Sequence, residues 1–316
     1  MKNSKRVFLF IEMILGSMVV VLASLMIREK NGEDLDRVAV IVQNSNDNQW
    51  TAFQYGLKVA AEDKKLELCM VSTGEKFTAD ELKTMIEQEM EKGTDGLIVQ
   101  PAPGGESEKM LKKMEKKIPI MLVETAASDT RERSLFPVTE PKQYEMGAAL
   151  GEELLKDYNG KIKDKTIGIF SENQETEAGK ARKKGFMDVL EETGARVVWS
   201  VSENLQEQSK VDFVIALDDS SLVRVGAAAT ANNLHGALVY GIGKSTEAVY
   251  YLDTGIAVCL VVPDAFNMGY QSLTEMSEKL NSFFYTMQSQ EISYTVLRRD
   301  TLFSKENQEL LFTMSQ

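Results

Sequence analysis

Few side chains in this sequence have the chemistry of a nucleophilic or metal-dependent enzyme. The chain contains one histidine, His235, and two cysteines, Cys69 and Cys259. Both cysteines lie in apolar runs typical of strands, so we interpret them as buried thiols, and a disulfide between them stays open. A single histidine cannot form a metal pair, and no nucleophile has a base beside it in a known pattern. We therefore expect a protein that is not an enzyme and has no metal site and no cofactor.

Two short motifs suggest chemistry but lack a required feature. The segment GIGKST at residues 241–246 resembles part of a phosphate loop, but a Walker A motif needs glycine at position 238, which is leucine. The neighbouring carboxyl groups of Asp218 and Asp219 suggest a metal or acid pair. Because adjacent residues of one loop seldom converge, a helix cap on the two serines that follow is the better interpretation. The sequence gives no support for nucleotide binding.

The charge is unevenly distributed along the 316 residues. The net charge is −12, and residues 1–30 hold five basic and two acidic side chains, so the rest of the chain carries −15. A strongly acidic domain repels phosphate backbones. We therefore expect no nucleic acid among its partners.

An apolar run of 21 residues lies near the start of the chain. The run, residues 7–27, contains one charged side chain, Glu12. As a helix rising 1.5 Å per residue it would be roughly 32 Å long, enough to cross the hydrocarbon core of a bilayer. Basic residues without acidic neighbours precede it, whereas acidic residues follow it. This asymmetry predicts a cytoplasmic tail at 1–6, a transmembrane anchor at 7–27, a linker at 28–36 and an extracytoplasmic domain at 37–316.

Two alternatives accompany this single-pass arrangement in the cell membrane. A cleaved signal peptide is the rival to an anchor, but the apolar run is unusually long for one, and its nearest small-residue site, residues 21–23, is weak. Glu12 lies inside the run, where a carboxylate is costly unless it has a partner. Its position is equally compatible with a contact to a membrane partner protein and with a place near the head groups.

The rest of the sequence alternates apolar strands with amphipathic helices. The first half has four such strands, beginning with residues 37–43, and the pattern restarts with a helix at 143–158. Strands this apolar, each followed by a helix, predict parallel sheets covered on both faces. We expect a two-lobed α/β protein that binds its ligand beyond the carboxyl ends of the strands.

One connection in the second half is too short for this pattern. Nine residues, 202–210, join the strand at 196–201 to the strand at 211–217. A parallel crossover usually needs a dozen or more. Either the helix is missing or reduced to a turn, or one strand is misassigned. A missing helix would leave one face of the second sheet partly open as a protein contact surface.

From about Arg37 to Asn307 the sequence resembles the type I periplasmic sugar-binding proteins, relatives of the ribose-binding protein. The order and spacing of several segments carry this resemblance: AVIVQNSNDNQWTAFQYGLKVAAE, GTDGLIVQP with IPIMLVE, EAGKARKKGF, FVIALDDSS and VVPDAFNMGY. The lactose-repressor family shares the fold but begins with a DNA-reading helix-turn-helix, and this chain has an apolar run in that place.

The resemblance implies two Rossmann-like lobes with parallel sheets, joined by a three-strand hinge and closing on a ligand. The crossings would fall near Thr125–Thr139, Pro263 and Gln290. The implied boundaries place the N-terminal lobe at about 37–125 and 264–288, and the C-terminal lobe at about 140–262 and 291–306.

The family's ligand positions can be transferred one at a time. Trp50 would stack on a sugar ring, the alternative being that it only packs the first helix onto its sheet. Arg182 matches the family's ligand arginine, with a solvated helix arginine as the alternative. Glu124 keeps an acceptor where the family has aspartate, whereas Thr125 lacks the donor of the arginine that follows it there. The complete implied ligand set is Asp47, Gln49, Trp50, Glu124, Arg182 and Asp218.

Two departures from the family pattern weaken the polar grip of the C-terminal lobe. Gly243 stands where the family has an aspartate that accepts bonds from sugar hydroxyls, and Pro263 stands in place of glutamine or asparagine. We therefore expect a different ligand or a weakened site.

The resemblance implies a membrane-anchored solute-binding protein for a small sugar-like ligand, whose closed form is read by a membrane partner. Sensing with a histidine kinase is favoured over delivery to an ABC sugar importer, because a transmembrane helix carrying Glu12 suits a sensory subunit. A ligand-free interaction protein of the same fold is the further alternative.

Overall fold

The computed structural model describes residues 15–18, 35–74, 77–126 and 136–315. Of the predicted transmembrane segment it describes only residues 15–18, which are helical. Glu12, the cytoplasmic tail and most of the linker lie outside the described residues. Within the part of the chain that is described, no helix is long and apolar enough to cross a membrane.

Residues 37–316 form one unit that contains two six-stranded sheets. The first sheet has the order β11-β5-β4-β3-β1-β2, and its strands are β1 (Arg37–Gln43), β2 (Glu67–Thr73), β3 (Gly96–Val99), β4 (Ile120–Val123), β5 (Val138–Pro141) and β11 (Gln290–Ile292). All its pairings are parallel. The helices of this lobe are α1 (Thr51–Lys64), α2 (Ala79–Glu91), α3 (Gly105–Met114), α8 (Ala265–Asn281) and α9 (Gln308–Met314).

The second sheet has the order β12-β10-β9-β8-β6-β7 and belongs to the C-terminal lobe. Its strands are β6 (Thr166–Phe170), β7 (Arg196–Val201), β8 (Phe213–Ala216), β9 (Leu238–Ile242), β10 (Ala257–Pro263) and β12 (Tyr294–Leu297). The pairing of β12 with β10 is antiparallel and the others are parallel. The helices are α4 (Gln143–Asp157), α5 (Glu177–Leu190), α6 (Asp219–Thr230) and α7 (Thr246–Asp253).

Apolar side chains cover both faces of each sheet. On β1, for example, Val38, Val40 and Val42 pack into one core cluster, and Ala39 and Ile41 pack into another. This burial on both faces explains why the strands are continuous apolar runs. The expected fold class of two α/β lobes with parallel sheets is confirmed.

The chain crosses between the two sheets at three places. The first crossing follows Pro141, because β5 still pairs with β4 in the first sheet. It therefore lies beyond the interval Thr125–Thr139 that the resemblance suggested. The other crossings fall between Pro263 and Asp264 and at Ser293, next to the ends of β10 and β11.

The short connection in the second half is a turn in place of a helix. Residues Leu205–Glu207 form a single 3₁₀ turn between β7 and β8. The indole ring of Trp199 covers part of the face that a helix would have covered, with its Nε1 donating to the carbonyl of Ser209 at 2.9 Å. Gly168 on the neighbouring strand permits this, because a Cβ there would lie 2.0 Å from the ring.

Candidate functional site

The two lobes enclose a small cleft where the carboxyl ends of their strands meet. Loops and helices that follow β1, β3, β4, β6, β8 and β9 contribute side chains to it. The cavity has a volume of about 50 Å³ and is lined by Gln49, Trp50, Gln100, Glu124, Thr125, Asn173, Thr176, Ala178, Arg182, Asp218, Asp219, Ile242, Gly243, Lys244 and Pro263. Five of the six residues implied by the family resemblance line it.

Trp50 is fixed at the wall of this cleft by its own lobe. It ends the 3₁₀ turn Asn48–Trp50 after β1 and is 2% exposed. Its indole Nε1 donates to the carbonyl of Gln43 at 2.9 Å, and the ring lies edge-on to Phe53 with 5.4 Å between centroids. Trp50 thus both packs α1 onto its sheet and presents a ring to the cleft.

Glu124 occupies an unusual backbone conformation directly after β4. Its φ is +71°, a value that non-glycine residues rarely adopt and that marks a site whose surroundings hold it in place. The carbonyl of Glu124 accepts a bond from Gln143 Nε2 at 2.7 Å. Gln143 is the first residue of α4, so the opposite lobe helps to hold this backbone in position.

Arg182 reaches the cleft from the middle of α5. Its Nε donates to Gln143 Oε1 at 2.6 Å, its Nη1 to the carbonyl of Leu217 at 3.0 Å and its Nη2 to Glu124 Oε1 at 3.2 Å. Close packing of α4 against α5 fixes the position of Arg182 relative to α4. A Cβ on Gly147 would lie only 1.8 Å from the Arg182 carbonyl oxygen. Arg182 is therefore buried and bonded, and the alternative of a solvated helix arginine is wrong.

Lys244 is the principal cleft residue that the sequence reasoning missed. It follows β9 in the C-terminal lobe, and its ammonium Nζ lies 2.5 Å from Glu124 Oε2 and 4.3 Å from the centroid of the Trp50 ring. It belongs to the segment GIGKST, whose glycines were compared with a phosphate loop. The signal available was a lysine directly after the position where the family has its aspartate.

The cations of Arg182 and Lys244 flank the carboxylate of Glu124. The side chains of Arg182, Lys244 and Glu124 are 5%, 6% and 14% exposed. Burial alone would raise the pKa of Glu124, but the two cations outweigh it and hold that pKa below its ordinary value. Glu124 is therefore ionised at neutral pH.

Asp218 caps α6, as the sequence suggested, whereas Asp219 bonds to the loop that follows β9. Asp218 accepts bonds from the amide of Ser221 and the hydroxyls of Ser220 and Ser171, at 2.9, 2.9 and 2.8 Å. Asp219 accepts from the amides of Lys244 and Ser245, at 2.6 and 2.8 Å. Burial raises the pKa of Asp219, and these two amides oppose that effect. Asp219 thus holds the backbone that carries Lys244.

The remaining predicted positions differ in where they lie. Gln49 lines the cleft, whereas Asp47 is exposed and does not. Gly243 and Pro263 both line it. A Cβ at Gly243 would point toward Ala248 at 2.6 Å, into the lobe, so this backbone could not direct a carboxylate at a ligand. The direction of this backbone at the end of β9 therefore leaves no position for the family's aspartate at residue 243.

The cysteines take no part in this cleft. Both thiols are free, Cys69 half-buried in the first sheet and Cys259 buried in the second. Burial raises the pKa of Cys259 to about 12, so its thiol stays protonated. Among the described residues, no group of three or more His, Cys, Asp or Glu side chains is arranged to hold a metal ion.

Comparison with known families identifies the domain. The periplasmic binding protein domain matches residues 38–282, which is most of the chain. The chain belongs to the periplasmic binding protein family. This confirms the resemblance to the type I periplasmic sugar-binding proteins. Among curated protein sequences nothing matches.

Solved structures of this family share the fold at low sequence identity. GanP, a glucose-galactose binding protein from Geobacillus stearothermophilus, is 17% identical with a TM-score of 0.72, covering 86% of this chain and 100% of GanP. A carbohydrate transporter solute-binding protein from Agrobacterium radiobacter, in complex with D-arabinose, is 14% identical with a TM-score of 0.77, covering 88% and 99%. The XylFII–LytSN complex contains a chain that is 15% identical with a TM-score of 0.69, covering 84% and 98%.

Proposed function

We propose that this chain is a membrane-anchored, extracytoplasmic solute-binding protein that binds a small sugar-like ligand between its lobes. It passes lobe closure to a membrane partner as a sensory subunit of a histidine kinase system. The observation that carries the proposal is the convergence of Trp50, Glu124 and Arg182 on one cleft. These residues come from opposite lobes, so a ligand that contacts all three couples binding to closure.

The chemistry of this cleft suits a polyhydroxylated ring. The axial C–H face of a sugar packs on an aromatic ring, and its hydroxyls bond to charged donors and acceptors. Trp50 supplies the ring, Arg182 the donors and Glu124 the acceptor. Glucose, galactose and D-arabinose are named with the similar structures, which favours a sugar-like ligand here as well.

Sensing is favoured over uptake by the predicted anchor and by one structural relative. A binding protein that signals must stay beside its partner, and a transmembrane helix achieves this. XylFII, which has a similar fold, forms a complex with a second protein, LytSN. The partner would be a sensor kinase, contacted in part through Glu12, and delivery to an ABC permease is the alternative.

A ligand-free interaction protein is the second candidate function. It is favoured by the small volume of the cleft, about 50 Å³, and by the lack of a polar side chain at Gly243, where the family has an aspartate. In either case the function is binding, without catalysis and without a cofactor.

Thermal unfolding of the full chain in lipid nanodiscs, against a panel of pentoses, hexoses and polyols, tests the proposal. Nanodiscs avoid detergents that carry sugar head groups. A ligand at 100 times its dissociation constant adds about 2.7 kcal/mol of stability, which corresponds to a rise of about 5 °C in Tm for a domain of this size. We expect one sugar to raise Tm in the wild type and not in Arg182→Ala.

The control variant is Lys58→Ala, which removes an exposed cation of α1 away from the cleft. It should keep the full rise in Tm. If no sugar of the panel raises the Tm of the wild type, the result would contradict sugar binding and favour the ligand-free interaction protein. An equal rise in Arg182→Ala would place the ligand elsewhere on the molecule.

A further inference from the structure

Lys244 lies where a ligand ring would lie in the proposed site. Its ammonium is 4.3 Å from the centroid of the Trp50 ring, within the range of a cation–π contact. The same ammonium is 2.5 Å from Glu124 Oε2, the acceptor assigned to a ligand hydroxyl. One side chain of the protein therefore occupies both the aromatic face and the acceptor.

The space that remains is too small for a sugar. Ligand pockets usually enclose about 300–1,000 Å³, whereas this cavity has about 50 Å³. A volume of that size holds a few water molecules. A ring can reach the Trp50 face only after the Lys244 side chain has left it.

The contacts of Lys244 cross from one lobe to the other. Lys244 belongs to the C-terminal lobe, whereas Trp50 and Glu124 belong to the N-terminal lobe. Further contacts cross the same gap, among them Arg182 to Glu124 at 3.2 Å, the Ala178 amide to the Thr125 hydroxyl at 3.1 Å, and Asn48 to Glu247 at 2.7 Å. The lobes are thus closed around an ion cluster that the chain itself provides.

From this geometry we infer that Lys244 is an internal occupant of the ligand position, which closes the lobes without a ligand and competes with a sugar for the Trp50 face. The inference rests on the proposed function and describes how access of a ligand to that site is regulated. A ligand gains access to the Trp50 face only during openings that withdraw the ammonium. The apparent affinity is then reduced by the fraction of molecules in the competent state.

Replacing Lys244 by methionine is the direct test, because methionine keeps much of the length and removes the charge. The lobe separation is read as a distance between spin labels at positions 109 and 187, which are exposed and lie on α3 and α5 in opposite lobes. Both native cysteines are replaced first, Cys69→Ser and Cys259→Ala. The full chain in nanodiscs is measured without ligand.

We expect one short distance for the wild type and a second, longer one for Lys244→Met, with the ratio of open to closed molecules raised about tenfold. The matched control, Lys58→Met on the exposed face of α1, should match the wild type. Glu124→Gln, which keeps the shape of the side chain, should open the lobes as well. An open wild type, or equal ratios in wild type and Lys244→Met, would overturn the inference.

A sugar panel on the same samples separates this inference from the proposed function. If the chain binds a sugar, Lys244→Met should bind it about tenfold more tightly than the wild type does, and equal or weaker binding would overturn competition. If no sugar binds to either protein but the lobes open in Lys244→Met, internal closure by Lys244 stands and the proposed sugar-binding function fails.

Discussion

Glu124 is central to the charges of the cleft, because its carboxylate contacts both Arg182 and Lys244. Its left-handed backbone, with φ at +71°, is maintained by the bond from Gln143. A buried carboxylate in this position is expensive unless both cations stay in place. The cluster therefore links the conformation of one residue to the approach of two lobes.

Replacing Glu124 by glutamine should destabilise the protein strongly. The change leaves two buried cations without a counter-charge, and losing one member of a buried ion pair costs about 3–5 kcal/mol. Urea unfolding of the wild type and Glu124→Gln measures the difference in the free energy of unfolding. The control Glu106→Gln removes an exposed carboxylate of α3 and should change little. A loss no greater than the control's would show that the cluster contributes no net stability.

Restoring the family's aspartate at position 243 should fail to improve ligand binding. In Gly243→Asp the new Cβ meets Ala248 at 2.6 Å and the side chains of Leu222 and Leu260 at 3.0 and 3.1 Å. Overpacking of this kind costs about 1–3 kcal/mol, so Tm should fall with no gain in any sugar response. Gly105→Asp, where nothing lies within 4 Å of a new Cβ, is the matched control and should keep the wild-type Tm. A gain in sugar affinity would contradict the direction assigned to this backbone.

Single residues divide into those the sequence could identify and those it could not. The family resemblance identified Trp50, Glu124 and Arg182, because each follows a strand or occupies a helix position that the family pattern fixes. Lys244 was not predicted as a cleft residue, because its partners, Glu124 and Trp50, lie about 120 and 194 positions away in the opposite lobe. Asp47 was included because the family has a polar ligand residue after the first strand, but here it precedes the 3₁₀ turn and is exposed.

The hinge strands β5 and β11 bring two carboxyl groups together. Glu140 and Glu291 are paired positions on these parallel strands. Burial raises the pKa of Glu140 to about 7, the charge of Glu291 adds to the rise, and the charge of Glu124 adds further. The amide of Ala126 and the charge of Arg182 oppose it. Glu140 thus titrates near neutral pH, at the place where the lobes pivot.

The stability of the hinge should depend on pH through Glu140. Its pKa is about 7 in the folded protein and 4.5 in the unfolded chain, so the folded state binds the proton more tightly. The free energy of unfolding contributed by this group therefore falls as pH rises from 4.5 to about 7, and is level above that range. Urea unfolding of the wild type and Glu140→Gln over this range gives the difference curve.

We expect the wild type to lose stability relative to Glu140→Gln across the interval. The control Glu145→Gln, an exposed carboxylate of α4, should run parallel to the wild type. A flat difference curve between wild type and Glu140→Gln would show that Glu140 keeps an ordinary pKa.

At the level of elements, the long apolar strands and amphipathic helices were predictable, because their periodicity is local. The hinge strands β5, β11 and β12 were harder, since each has only three or four residues and pairs through tertiary contacts. The same holds for α9, which packs against α1 after the chain returns from the second lobe. The 3₁₀ turn at Leu205–Glu207 was one of the alternatives that the length of its connection left open.

For the whole molecule, the sequence predicted two α/β lobes with parallel sheets, which the structure confirms, and a ligand cleft beyond the carboxyl ends of their strands. It did not predict that the cleft would be filled, because closure depends on contacts between residues that no periodicity relates. The membrane anchor and the partner stay predictions from residues 7–27. The central claim that follows is that the cleft beside Trp50 is the ligand site.

Fluorescence of Trp50 tests that claim most directly, because the chain has only two tryptophans and Trp199 lies on β7. In Trp199→Phe the remaining emission comes from the ring that Lys244 covers. We predict a saturable change in emission on titration with one sugar of the panel, and its loss when Arg182→Ala is added. Emission that stays constant while a sugar raises Tm would contradict the claim, since the ligand would then bind away from Trp50.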